Sequence, residues 1–159
     1  MLDTLAQEFS TTTFLPLGIL ALRLAGALLL CGLIGFEREA RDRPAGLRTH
    51  MLVGMAAAVY CILMLELMNR GEAWGDGARY DPIRVIEAVT AGVAFLAAGL
   101  IFTSKGEVRN VTTGASLWLS GAVGLGCGAG QMPLAALATG IVVSVIFLLR
   151  QLERLWGTH

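Results

Sequence analysis

Residues 14–36 read FLPLGILALRLAGALLLCGLIGF, twenty-three positions with a single charge, Arg23. Coiled as a helix at 1.5 Å per residue, this run reaches about 35 Å, enough to cross the roughly 30 Å hydrocarbon layer of a bilayer. Its apolarity is continuous, whereas a membrane β-strand alternates over about ten residues. Four more apolar cores follow at 51–68, 85–103, 111–130 and 134–149. Of the 24 charged residues in the chain, only Arg23, Glu66 and Glu87 fall inside the five cores. Such segregation is expected when lipid is the solvent. Asp81-Pro82 reads as a helix N-cap followed by the first helical residue, which moves the third helix back to 82. Pro133 suits a first turn and Arg150 can snorkel, so the fifth helix is expected over 133–150. The sequence predicts an all-α integral membrane protein, one transmembrane domain over 1–159, with helices 14–36, 51–68, 82–103, 111–130 and 133–150.

The connectors set an orientation. Residues 37–50, 104–110 and 150–159 carry eight Lys and Arg, against three in 1–13, 69–84 and 131–133. The positive-inside rule then predicts the N-terminus outside and the C-terminus in the cytoplasm. The first thirteen residues hold Asp3 and Glu8 but no base, unlike a secretory signal, so the first span is expected to remain. Leu2, Leu5, Ala6 and Phe9 allow a short amphipathic surface helix.

Composition excludes several classes of function. At 55% hydrophobic and 15% charged, the chain is not a water-soluble enzyme, and no catalytic activity is expected. Twelve bases are interleaved with twelve acids, giving no cationic field for nucleic acid. Cys31, Cys61 and Cys127 are dispersed within apolar spans and read as small buried hydrophobes. His50 and His159 are the only histidines, so no closed zinc site and no catalytic triad is supported. Glu37, Glu39 and Asp42 could hold hydrated magnesium, but Arg38, Arg41 and Arg43 compete for them. Neither a metal nor a cofactor is expected.

Three charges remain to be explained inside the membrane. Under the predicted topology Arg23, Glu66 and Glu87 share the outer half. They are expected to form a polar cluster, with Arg23 paired to Glu87 and lining a cavity or contact surface. The alternative is a structural pair, or a local Arg84–Glu87 contact with Arg23 snorkelling alone. On the fourth helix Thr112, Ser116, Ser120, Gly124 and Gly128 recur every four residues, a small face along which backbones can approach. On the third, Glu87, Ala91, Ala94 and Ala98 share a face, expected to meet a packed neighbour. The glycines at 124, 126, 128 and 130 lack both dinucleotide and P-loop patterns and read as close packing, or as an unwound segment lining a cavity.

On the cytoplasmic side two polar segments, 37–50 and 104–113, should meet. Thr49 and Asn110 are expected N-caps for the helices that follow. Pro44-Ala45-Gly46-Leu47 interrupts the charges with a turn and an apolar residue, which argues for a shaped loop able to bind a partner or an anion.

These residues resemble the MgtC/SapB membrane-protein family. The likeness runs through Arg23-Leu24, GFERE at 35–39, RPAGLRTHMLVG at 43–54, DPIR at 81–84, GVAFLAAGLIF at 92–102, VRNVTTGASLW at 108–118 and the glycine-rich end of the fourth helix. It covers about residues 20–150. The family pattern maps onto Arg23, Glu37, Arg38, Arg48, Thr49, His50, Asp81, Arg84, Thr112 and Thr113, with Arg109 in the same cytoplasmic-face motif. The resemblance implies a transmembrane domain without the cytoplasmic C-terminal domain many relatives carry. It also implies an inner-membrane regulator linked to low-magnesium adaptation and virulence, restraining a partner such as the F-type ATP synthase rather than transporting magnesium. The residues themselves leave a second reading open, a small transporter or channel built on the buried charges. With so little interior in five short spans, a homo-oligomer is expected.

Overall fold

The computed structural model describes residues 1, 13–71, 81–104 and 106–156. Five helices follow one another: α1 (Leu17–Glu39), α2 (Leu47–Gly71), α3 (Pro82–Leu100), α4 (Val111–Gly128) and α5 (Met132–Trp156). A small antiparallel hairpin, β1 (Phe102–Ser104) with β2 (Glu107–Arg109), joins α3 to α4. The amphipathic helix expected over residues 2–9 lies outside the described residues.

Local chemistry explains most helix ends. At α3, the Asp81 carboxylate accepts from Ile83 N at 3.0 Å and Pro82 fills the first position. At the end of α1, Asp42 adopts φ +52°. The Arg43 N–H reaches back to the Arg38 carbonyl and the Asp42 N–H to Glu39, a Schellman closure. The end of α4 repeats it with Gly130 at φ +80°, Gln131 N donating to Gly126 O and Gly130 N to Cys127 O.

Three expectations are corrected. The third helix stops at Leu100 rather than 103, because Ile101 is extended and Phe102 and Thr103, good strand formers, pair into the hairpin. Gly106, at φ +81°, supplies its turn. Asn110 does not cap α4 with its side chain. It sits left-handed at φ +64°, and its amide instead donates to the Leu100 carbonyl at 3.0 Å, tying the end of α3 to the start of α4. Thr49 does not cap α2, which begins at Leu47. There the Glu39 carboxylate accepts from Leu47 N at 2.7 Å, and the Gly46 carbonyl accepts the His50 N–H.

Helix α4 is the hub that touches all four others. A Cβ on Gly124 would stand 2.8 Å from Gly54 Cα, and one on Gly128 would stand 2.9 Å from Ala58 Cα. Helices α2 and α4 therefore meet backbone to backbone, the close approach that small residues permit. A Cβ on Gly54 would in turn stand 2.9 Å from Cys31 Cβ of α1. Cys31, Cys61 and Cys127 are all buried.

The packed face of α3 differs from the expected one. Val89, Val93 and Ala97 are buried, while Glu87, Ala91, Ala94 and Ala98 are exposed. Val93 lies over Gly121, and Ala97 and Ile101 over Gly114, so branched chains fill the glycine hollows of α4 where an alanine face would leave voids.

Helices α1, α2, α3 and the Met132–Leu149 part of α5 are each long and apolar enough to cross a membrane. The less hydropathic α4 carries five glycines, two serines and two threonines in eighteen residues. A helix packed against four others needs small residues at those contacts rather than oil-like ones. Outward, Phe95, Leu17 and Leu29 are 84%, 74% and 70% exposed, a surface that water would reject and hydrocarbon accepts.

Candidate functional site

The polar groups collect at the two ends of the bundle. At one end, Arg23 of α1 projects toward the C-terminus of α4, where its Nη1 donates to the Gly128 carbonyl at 2.7 Å. The last carbonyls of a helix have no intrahelical partner and carry roughly half a negative charge between them. The guanidinium thus finds its counter-charge in backbone. Gly130 lies directly beneath it, and a Cβ there would meet Arg23 Cζ at 3.0 Å.

The expected Arg23–Glu87 pair is not formed. Glu66 instead accepts the Phe14 N–H through both carboxylate oxygens, at 2.8 and 3.0 Å. Glu87 and Arg84 are exposed on α3, and among the described residues no ion pair joins any two of the four. The physical reason is rotational: the buried edge of α3 is Val89, Val93 and Ala97, which turns Glu87 outward. Arg84 lines a separate cavity of about 670 Å³ between α2 and α3 with Asp81, Tyr60 and Met64.

The other end holds the α1–α2 turn, and here the expectation of a shaped loop meets a rigid one. A Cβ on Gly35 would lie 2.8 Å from Leu47 Cα and 2.9 Å from His50 Cβ, and one on Gly46 would collide with the Glu39 carboxylate. His50 is fully buried. Its Nδ1 faces the Gly46 carbonyl at 2.8 Å and its Nε2 the Ser116 hydroxyl at 3.0 Å. Since a carbonyl only accepts, Nδ1 carries a proton. The Ser116 hydroxyl also lies 2.9 Å from the Thr113 carbonyl, and Ser120 donates to the Ser116 carbonyl at 3.2 Å. The start of α2 is thereby laced to the first turns of α4.

Around this knot sit the motif residues. Glu37 is held between two guanidiniums, 2.9 Å from Arg38 Nε and in contact with Arg41 Nε. None of these groups is aligned for a hydrogen bond, so charge attraction rather than geometry holds them. That engagement leaves Glu37 no free carboxylate for a metal, and no metal-binding cluster occurs among the described residues. Arg48 and Arg109 are exposed, the latter 3.6 Å from Glu107, and Thr49 is half-buried. Thr112 is exposed and Thr113 buried, its hydroxyl without a partner among the described residues. Ser116, Ser120, Gly124 and Gly128 are all buried on α4.

Sequence reasoning missed one feature of this end. A groove of about 590 Å³ runs between α3 and α5 over the face of α4, and Arg38, Arg41 and Arg43 stand at it. The signal was present in the three arginines of a tight turn, but not in anything that placed them over a gap between two later helices.

The sequence profile of the MgtC family matches residues 24–155. The chain is 46% identical over 137 residues to protein MgtC of Brucella abortus (strain 2308), which covers 86% of this chain and 54% of that protein. It is 39% identical over 130 residues to MgtC of Salmonella typhimurium (strain LT2), covering 82% and 52%. It is 33% identical over 135 residues to YhiD of Escherichia coli (strain K12), provisionally described as a magnesium transporter, covering 82% and 60%. The chain spans a little over half the length of these curated relatives. No solved structure is a significant match. A match over most of the chain, joined to four helices fit to cross a membrane, makes this chain a member of the MgtC family and a multi-pass protein of the bacterial inner membrane.

Proposed function

We propose that this protein is a magnesium-linked regulator of the inner membrane, acting in low-magnesium adaptation through contact with another membrane complex of the F-type ATP synthase kind. In this reading all five helices cross the bilayer, with the N-terminus outside, the arginine turn in the cytoplasm and the protein assembled as a homo-oligomer. One observation carries it: the intramembrane charges Arg23 and Glu66 are taken up by backbone groups, and α2 and α4 touch backbone to backbone. An interior so occupied is built for shape rather than passage. The link to magnesium rests on the resemblance of the sequence motifs to the MgtC/SapB family and on YhiD, provisionally described as a magnesium transporter.

Transport is the second reading, favoured by the description of YhiD. The two separate in reconstituted vesicles. Regulation predicts that ATP-driven proton pumping by co-reconstituted ATP synthase falls when the protein is added, and that the exposed-residue change Arg48→Glu relieves the effect. Magnesium flux through vesicles holding this protein alone, with pumping unaffected, would establish transport instead.

A further inference from the structure

The arginine-edged groove belongs to neither of these roles. It is open, about 590 Å³ in volume, and walled by apolar residues of three helices, Val93, Leu119 and Ile146 among them. Its extent along α4, from Thr112 to Ala122, is about 15 Å, half the hydrocarbon thickness. All its positive charge is at one end. Glu37 offsets one of the guanidiniums of Arg38 and Arg41, and Arg43 adds another positive charge. Glu39 is committed to the start of α2, and Asp42 does not line the groove.

Arg38 is the telling member. Its side chain is only 7% exposed and its Nε lies 2.9 Å from Glu37, while among the described residues its terminal nitrogens donate no hydrogen bond to the protein. A guanidinium lining an open groove with those nitrogens unclaimed suits an anion, and the two terminal N–H edges of arginine match two oxygens of a phosphate. Thr112 of α4 also lines the groove and offers a hydroxyl.

The geometry points to an anionic phospholipid as the occupant, its phosphate held by Arg38, Arg41 and Arg43 and one acyl chain laid along α4 between α3 and α5. Charge and apolarity are segregated along the groove as they are in such a lipid. A free phosphate would leave the apolar length unused, and a zwitterionic lipid would bring its own cation to the arginines. The assignment requires only that the bundle be embedded in a bilayer, and it stands or falls independently of any effect on an ATP synthase.

Native mass spectrometry of the full chain in detergent, titrated with equal amounts of phosphatidylglycerol and phosphatidylcholine, tests it. Phosphatidylglycerol is expected to be retained selectively. Arg41→Gln and Arg43→Gln should each lower that retention roughly fivefold, the value of one arginine near a charged lipid surface. Ala122→Trp, at an exposed position on the groove floor, should abolish it while circular dichroism shows the helices intact. Arg48→Gln, basic and exposed but outside the groove, should leave it unchanged. Equal retention of the two lipids would overturn the assignment. So would displacement of phosphatidylglycerol by inorganic phosphate, an Arg48→Gln loss as large as that of Arg43→Gln, or retention that survives Ala122→Trp.

Discussion

The contact between α2 and α4 gives opposite signs for the same substitution two residues apart. At Gly124 an added methyl would stand 2.8 Å from both Gly54 Cα and its carbonyl carbon, which are backbone atoms and cannot rotate away. At Gly126 the nearest atom is Ala135 Cβ at 3.4 Å, a tight contact between methyl groups that a few tenths of an ångström relieves. Alanine favours a helix over glycine by about 0.8–1.0 kcal/mol at either site. Overpacking a rigid contact costs about 1–3 kcal/mol. Gly124→Ala should therefore destabilise by up to about 2 kcal/mol, while Gly126→Ala is neutral or stabilising by up to about 1 kcal/mol. The assay is reversible unfolding in mixed micelles, followed by tryptophan fluorescence and circular dichroism. Equal stabilities for the two variants would refute a backbone-to-backbone crossing, and a gain at both would show that propensity alone governs α4.

Three other outcomes follow from specific contacts. Arg23→Leu should cost about 1.5–3 kcal/mol in the same assay despite its better hydropathy, because the charged hydrogen bond to Gly128 O is lost; the double reversal Arg23→Glu with Glu87→Arg should be no better than Arg23→Glu alone, and rescue would restore the pair the structure lacks. Gly130→Ala should cost about 1–2 kcal/mol for its left-handed backbone before any push on Arg23, whereas Asp42→Gly, at the same place in the α1 closure, should be neutral or stabilising; a tolerated Gly130→Ala would refute the α4 closure. Thr139→Val should stabilise by about 1–3 kcal/mol, since the Thr139 hydroxyl is buried without a partner among the described residues; a loss on thermal denaturation would reveal a partner for it.

The apolar runs and the Asp81-Pro82 start were legible because each is written in consecutive residues. The partner of Arg23 was not, because a search for opposite charge finds carboxylates, while the negative end of α4 is a property of aligned carbonyls that no single letter encodes. Glu87 misled for a related reason. It shares a face with three alanines, and in the sequence smallness reads as the mark of contact. On α4 that rule identifies Ser116, Ser120, Gly124 and Gly128, all buried. On α3 the complementary rule applies: a neighbour already hollowed by Gly114 and Gly121 is filled by valine, so the alanine face is left outside. The hairpin escaped because Ile101 and Phe102 extend the apolar run, and only Gly106 and Asn110, both at positive φ, mark the reversal.

The residues of the family-like motifs therefore divide by what a change in them could report. His50, Thr113, Gly35 and Gly46 hold the arginine turn against α4 and α1 from within, so altering them disturbs the shape of that end whatever it binds. Arg43, Arg48, Arg109 and Thr112 face outward, so altering them leaves the packing intact and changes only what is presented. Arg38 belongs to both groups, buried by its position yet lining the groove. A solvated connector sized only for topology would need neither the Schellman closure at Asp42 nor the Glu39 cap on Leu47. Fixing a turn so short and so basic restricts its guanidiniums to one arrangement, which lowers the entropy lost when they close on an anion.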